Sequence, residues 1–341
     1  MTLTIADIFS PRRASLAPLA GVTDSVFRRI CAAFGACPVF TEMVSSEGLV
    51  RGHPSDKTTR LLRFQESERP IGFQFFGSDP DTMAEAVQRT LDRKPDFIDI
   101  NAGCPVRKVI ARGAGSALLT APGVLARIVE KVAAVSTVPV TVKIRSGWNF
   151  AAVNAVEIAR ICADAGAQAV IVHPRTKSQG FGGDADWSVI GRVREAVDVP
   201  VVGSGDVRSL GDYLRMKEET GIEYVMVGRA AMTNPFIFRE IADYCDGITV
   251  PYQTGGCAER LELALTQLDL IASEVSERFA VLNMRKFFGW YSRGSRGGTD
   301  FRQRVFRAET IGGIRVIVRE FQEECRANKD EAHKDGQMVE S

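Results

Sequence analysis

Residues Asp99-Ile-Asn-Ala-Gly-Cys-Pro105 place a thiol, Cys104, in a Gly/Pro turn directly after an apolar run of strand length. A thiol has an unperturbed pKa of about 8.5 and stays largely protonated at neutral pH, so it can act as a general acid. Other apolar runs also carry polar residues. Lys143 lies inside Val140-Thr-Val-Lys-Ile144, and Arg145 follows it. His173 ends another run, with Arg175 two residues on. An ammonium inside such a run needs a counter-charge, either a carboxylate (Glu42 or Asp99) or an electron-rich ligand. His173 is open to two readings, a hydrogen-bonded core histidine or a ligand contact. Ser204-Gly-Asp206 and Gly228-Arg229 close two later runs. Glycines there let a phosphate approach the backbone, and an arginine adds a charged fork.

Eight apolar runs must position these groups, over residues 15–19, 38–43, 71–76, 97–101, 138–144, 169–173, 199–203 and 224–227. Their hydrophobicity is continuous rather than alternating, which suits parallel strands buried on both faces. Helical spacing separates them, for example at 82–91, 123–135, 153–165 and 187–196. Eight such alternations predict an α/β fold, a (β/α)8 TIM barrel. No G-x-G-x-x-G follows the first strand to favour an open dinucleotide-binding sheet. In a barrel the C-terminal strand ends share one mouth, which brings Ala17–Gly21, Thr41–Met43, Gln74, Asn101, Cys104, Lys143, Arg145, His173, Arg175, Ser204–Asp206 and Gly228-Arg229 together. Turns after strands seven and eight commonly bind phosphate in barrels. With an inward lysine nearby, the pattern fits a flavin mononucleotide, whose ring needs a positive group near N1 when reduced.

Beyond residue 245 the strand-like runs stop, and 258–275, 281–291 and 301–321 have helical apolar spacing. The expected organisation is a barrel over 1–245, a small C-terminal helical bundle over 246–327 and a disordered tail over 328–341, with the Pro/Gly-rich stretch 250–256 as the linker. The chain has 43 basic and 42 acidic residues, a net +1, but residues 285–307 hold seven basic side chains against Asp300 alone. That window is either a solvated helical face or the docking face for a polyanion. Seven cysteines without a C-x-x-C pair, and only three histidines, exclude a zinc motif and a disulfide framework as readings, so no metal is expected. The N-terminus lacks a basic segment ahead of an apolar stretch, and no run approaches the roughly 20 residues of a membrane span. A cytoplasmic location, no membrane association and no obligatory protein partner are expected.

The chain resembles the tRNA-dihydrouridine synthases, in particular the bacterial B-type branch, over about residues 14–320. Leu16-Ala-Pro-Leu-Ala-Gly-Val-Thr-Asp24, Asp99–Pro105, Gly113-Ala-Gly-Ser-Ala-Leu-Leu119, Val142-Lys-Ile-Arg-Ser-Gly-Trp148 and Val227-Gly-Arg-Ala-Ala231 carry the likeness. The resemblance implies an FMN enzyme that uses NADPH or NADH to reduce uridines of tRNA to 5,6-dihydrouridine. It implies FMN contacts at Pro18, Leu19, Ala20, Gln74, Lys143, His173, Ser204, Gly205, Asp206, Gly228 and Arg229, and a general acid at Cys104. Asn101, Arg145 and Arg175 are then expected to meet the substrate. Arg107, Lys108 and Arg112 are placed to grip neighbouring phosphates, with further backbone contacts from the basic helical region.

Three positions depart from the family pattern: Pro174 replaces a glycine, Ser204 an asparagine, and Phe287 a histidine ahead of Trp290-Tyr291. They bear on which uridine or RNA is served. Two other functions compete: a flavin barrel acting on a free pyrimidine, which has no use for the basic window, and a non-catalytic RNA-binding barrel, which has no use for Cys104 and Lys143 together.

Overall fold

The computed structural model of the protein describes residues 4–51, 56–249, 252 and 256–338, without the side chains of 56, 57 and 327–338. Nine parallel strand segments form its sheet: β1 (Ala14–Leu16), β2 (Val39–Phe40), β3 (Val44–Ser45), β4 (Ile71–Phe76), β5 (Phe97–Ala102), β6 (Val140–Arg145), β7 (Ala169–His173), β8 (Val201–Ser204) and β9 (Tyr224–Val227). Their order is β1-β9-β8-β7-β6-β5-β4-β2, with β3 also on β4. The ring closes between β1 and the entry to β2, where Cys37 N–H donates to Ala14 O (3.0 Å) and Leu16 N–H to Pro38 O (3.0 Å). This is the expected (β/α)8 barrel. The run read as one strand over 38–43 is two short pieces. At Thr41 the side-chain oxygen accepts the Gln74 N–H (3.1 Å), and pairing with β4 resumes at Val44.

Helices follow the strands, each started by local chemistry. Asp24 caps Ser25–Ala33 by accepting the Phe27 N–H (2.9 Å), and Asp79 caps Pro80–Gln88 at the Thr82 N–H (2.8 Å). Ser209 opens Leu210–Thr220, and Gly221, at φ +68°, ends it in the left-handed conformation. At the N-terminal end of the barrel a plug of Ile5, Ile8, Phe9, Phe40, Phe97, Ala169 and Met226 fills the interior. The Phe40 and Phe97 rings lie edge to face at 5.0 Å.

The chain divides into two compact units, residues 1–230 with 237–251, and residues 231–236 with 252–341. The second contains helices Cys257–Ala272, Glu277–Tyr291, Gly298–Arg307 and Ile311–Met338. The stretch 301–321, read as continuous helix, is broken. Ala308 turns extended (ψ 137°), and Thr310 opens a new helix by accepting the Gly313 N–H (3.1 Å). A threonine before Ile-Gly-Gly favours a cap over helix interior. Within the stretch expected to be a disordered tail, the described backbone is helical to Met338, in a run free of proline. Residues 339–341, most of the 250–256 linker and His53 lie outside the described residues. Among the described residues no helix is long and apolar enough to cross a membrane, and no cluster of His, Cys, Asp and Glu could hold a metal.

Candidate active site

The Cys104 turn is held from three directions. Asn101 Oδ1 accepts the N–H groups of Gly103 (3.2 Å) and Cys104 (2.9 Å). Ser116 donates its N–H to Cys104 O (3.0 Å) and its hydroxyl to Gly103 O (2.8 Å). Arg145 Nε donates to Gly103 O as well (2.8 Å). Gly115 must be glycine here: its φ is +61°, and a Cβ would stand 2.7 Å from Cys104 O. The half-buried Cys104 thiol is pushed up by burial, against the Val106 N–H and the charges of Arg145 and Lys143. It keeps its proton through neutral pH.

Strand register delivers the next layer. Gln74, Asp99 and Thr141 are cross-strand partners on β4, β5 and β6, and Asn101 stands beside Lys143. Asn101 Nδ2 donates to Gln74 Oε1 (2.9 Å), Gln74 Nε2 to Asp99 Oδ2 (2.6 Å), and Thr141 Oγ1 to Asp99 Oδ1 (2.6 Å). Burial pushes the Asp99 carboxyl up, held back by those two bonds and by Lys143. Burial pushes Lys143 down, opposed by Asp99 and reinforced by Arg145. Among the described residues Lys143 makes no ion pair within 4.0 Å with Glu42 or Asp99, and Asp99 acts on it only through its charge.

The three residues expected to meet the substrate also bond within the protein. Asn101 satisfies its oxygen and its amide as above. Arg145, almost wholly buried, donates through Nη1 to Thr176 O (2.9 Å) and Gly180 O (2.7 Å). Arg175, 1% exposed, bonds Gly182 O (3.1 Å), Gly183 O (2.5 Å) and Asp206 Oδ2 (2.7 Å). For the two arginines the reason is shared: a buried guanidinium takes the nearest carbonyls, and the glycine-rich segment 176–187 offers several. Arg229 adds a bond to Phe181 O (3.2 Å), and Trp187 Nε1 donates to Gly205 O (2.9 Å). Sequence reasoning missed this segment. Its signal was present in three glycines (180, 182 and 183) behind two buried arginines.

Asp206, in the left-handed region at φ +57°, ties Arg175, Arg229 (2.9 Å) and Arg208 (3.3 Å) together and accepts the Ala185 N–H (2.9 Å). Burial pushes its carboxyl up, but the Arg175 and Ala185 bonds and the arginine charges outweigh that and hold it low. Asp206 thus organises the arginines, a role the sequence did not disclose. Gly205 (φ +120°) packs on the His173 ring, where a Cβ would meet its Cδ2 and Nε2 at 3.3 Å. Burial first, then Lys143, Arg145, Arg175 and Arg229, keep His173 well below its usual range, hence neutral. At the first strand end Pro18 and Leu19 are half-buried and Ala20 is exposed, in a turn where Thr23 Oγ1 accepts the Leu19 N–H (3.0 Å). Ser204 is buried at the end of β8, and Gly228 is followed by an Arg229 that is about half exposed.

Two features fit a bound anion with polar edges. Lys143, Arg145, Arg175 and Arg229 outnumber Asp99 and Asp206 in one electrostatically linked group. His173 Nδ1 and Arg175 Nη1 are buried without a protein partner, which leaves both open to a ligand at the mouth. A surface hollow of about 750 Å³ lies elsewhere, on the outer face of helices Ala155–Asp164 and Ser188–Ala196. It gathers no comparable set of titratable groups, so the chemistry is assigned to the barrel mouth.

The C-terminal mouth of this parallel barrel thus gathers a protonated thiol, a buried lysine and a cluster of arginines. Comparison with known proteins specifies the class. Residues 15–326 match the dihydrouridine synthase (Dus) family. The chain is 41% identical over 315 residues to a probable tRNA-dihydrouridine synthase of Treponema pallidum, covering 89% of this chain and 91% of the relative. It is 37% identical over 319 residues to tRNA-dihydrouridine synthase B of Pseudomonas aeruginosa, covering 93% and 95%. Histamine dehydrogenase from Rhizobium sp. 4-9 shares the fold, with a TM-score of 0.53 and 14% identity over 75% of this chain and 48% of that one. The chain belongs to the dihydrouridine synthase family, whose members are flavin-dependent oxidoreductases.

Proposed function

We propose that this protein reduces the C5=C6 bond of uridines in tRNA, with FMN at the barrel mouth and NADPH or NADH as the reductant. The single observation that carries the reading is the Cys104 thiol, pinned on the rim and kept protonated beside Lys143 and Arg145. When bound and reduced, the flavin supplies a hydride to C6. Cys104 Sγ holds the proton that C5 requires. Lys143 offers positive charge where the cofactor ring and the uracil carbonyls become electron-rich. His173, Gly205, Gly228 and Arg229 would hold the cofactor, with Pro18, Leu19, Ala20, Gln74 and Ser204 lining its other sides. Asp206 would hold the arginines beside the cofactor, and Asn101, Arg145 and Arg175 would meet the uracil while their bonds within the protein fix their positions.

A uridine inside folded RNA must leave its stack to reach this mouth. In the helical unit Arg293, Arg296 and Arg307 are exposed and make no side-chain bond among the described residues, which suits phosphate contacts. By contrast Arg304 pairs with Glu320, and Arg285 donates to Ala308 O (3.1 Å). A tRNA substrate in turn implies a cytoplasmic location. The test supplies tRNA from a strain lacking this gene, with NADPH and the purified protein, and maps dihydrouridine by mass spectrometry. New dihydrouridine at defined positions supports the reading; none with a flavin-loaded protein overturns it.

A further inference from the structure

Two of the seven cysteines stand apart from the rest, in the helical unit. Helices Cys257–Ala272 and Ile311–Met338 run antiparallel there, and three contacts set their register. Gln322 Nε2 donates to Ala258 O (2.9 Å), Arg319 Nη1 pairs with Glu262 Oε2 (3.2 Å), and Arg315 Nη2 with Asp269 Oδ1 (2.5 Å). Each step up one helix is a step down the other. Extended by one turn, that register sets Cys257 opposite Cys325. Both are free and half-buried, and the Cys257 thiol is near enough to act on the ionisation of Cys325.

The remaining five cysteines have other surroundings. Cys31 and Cys162 are buried among apolar side chains, and Cys104 belongs to the barrel mouth. Cys37 donates to Ile8 O (3.6 Å), and Cys245 to the Tyr213 hydroxyl (3.9 Å). We propose that Cys257 and Cys325 form a dithiol modification site that a low-molecular-weight disulfide converts to an intramolecular disulfide. One cysteine sulfur displaces a thiolate from the small disulfide, giving a mixed disulfide. The second cysteine sulfur then attacks the first and releases the other half. The two protons leave with two small thiols, the protein pair is oxidised, and the small disulfide is reduced.

The bond would close a loop over residues 258–324, which contains the whole basic window. It would tie the start of one helix to the late turns of another. Partial burial makes the pair slow to react, since burial first and then Cys257 and Glu324 push the Cys325 thiol up. The site therefore responds to sustained oxidation rather than to a brief pulse.

The test incubates the full-length protein with oxidised glutathione, alkylates the remaining thiols and digests with trypsin. The expected result is a cross-link between peptides 240–260 and 320–326 in most molecules, reversed by dithiothreitol and absent from Cys257→Ser and Cys325→Ser. Separate alkylation of both peptides overturns the proposal. So does a cross-link that persists in Cys257→Ser, because it would then belong to Cys245. An independent measurement uses phenylarsine oxide on the reduced protein. One equivalent should bind at least tenfold more tightly to the wild type than to either serine variant, and equal binding overturns the pairing.

Discussion

The two ends of the barrel are built on opposite principles. At the N-terminal end Phe9 lies 5.7 Å from Phe97 and 6.0 Å from Tyr224, in a plug that is apolar apart from the partly buried Tyr224. At the C-terminal end four cations, two carboxylates and a neutral histidine crowd one mouth, and buried polar atoms such as His173 Nδ1 and Arg175 Nη1 lack partners. The same strands supply both ends: β5 begins at Phe97 and leads to Asn101 and Cys104. One end concentrates apolar burial, which stabilises. The other accumulates desolvated charge, which costs stability and is tolerated where a ligand compensates it. The contrast separates residues that hold the fold from those to which the proposed reaction is assigned.

Substitutions at the two ends can break that contrast. Cys104→Ala should have the largest effect, lowering dihydrouridine formation by about 10²–10⁴-fold, the range for loss of a general acid, with flavin absorbance retained. A tRNA assay beside a visible spectrum checks it, and loss of flavin would mean the turn holds the cofactor rather than a proton. At the other end, Phe97→Ala should cost about 3–5 kcal/mol in urea unfolding and leave turnover of the folded fraction unchanged. A specific loss of turnover there would erase the distinction.

Asp206→Asn sharpens the comparison, because it removes the charge facing a buried guanidinium. A stability loss of about 2 kcal/mol is expected, together with weaker flavin retention. Urea unfolding and fluorescence titration with FMN separate the two effects. If stability falls and FMN affinity is unchanged, the arginine hub serves the fold alone. In the helical unit, neutralising Arg293, Arg296 and Arg307 together should weaken tRNA binding and reduce the slope of log K against log salt by about 2–3, leaving flavin unaffected.

The smallest effect is a shift on the pH axis. Alkylation by iodoacetamide requires the thiolate, and the folded Cys104 thiol titrates above its ordinary value because burial outweighs the nearby cations. Its alkylation should stay slow through pH 8 and reach half-maximal rate at a higher pH than in the urea-unfolded chain. Mass spectrometry of the Cys104 peptide across pH reads this directly. A midpoint below that of the unfolded chain would identify a reactive thiolate and remove the acid.

Much of the barrel was legible because its strands are buried on both faces, and continuous apolar runs reveal that locally. Strands 71–76, 169–173 and 224–227 fall where the pattern puts them. The break at Ala308–Thr310 was harder, since apolar spacing on its two sides remained helical. The types of residue at the mouth were also readable, as polar groups stranded at the ends of apolar runs. Their partners were less so: Asn101, Arg145 and Arg175 stand at strand ends, and each also bonds to residues that lie apart from it in sequence.

The amino-acid sequence by itself determined the parallel barrel, the thiol at the end of its fifth strand segment and the lysine on the neighbouring segment, because burial and strand periodicity are properties of short stretches. Only the tertiary structure decided which polar groups face a ligand and which brace the segment 176–187, and that Asp206 gathers three arginines. Those choices depend on hydrogen bonds between residues tens of positions apart, such as Gly103 with Arg145 and Arg175 with Asp206. Closure of the ring brings such partners within reach.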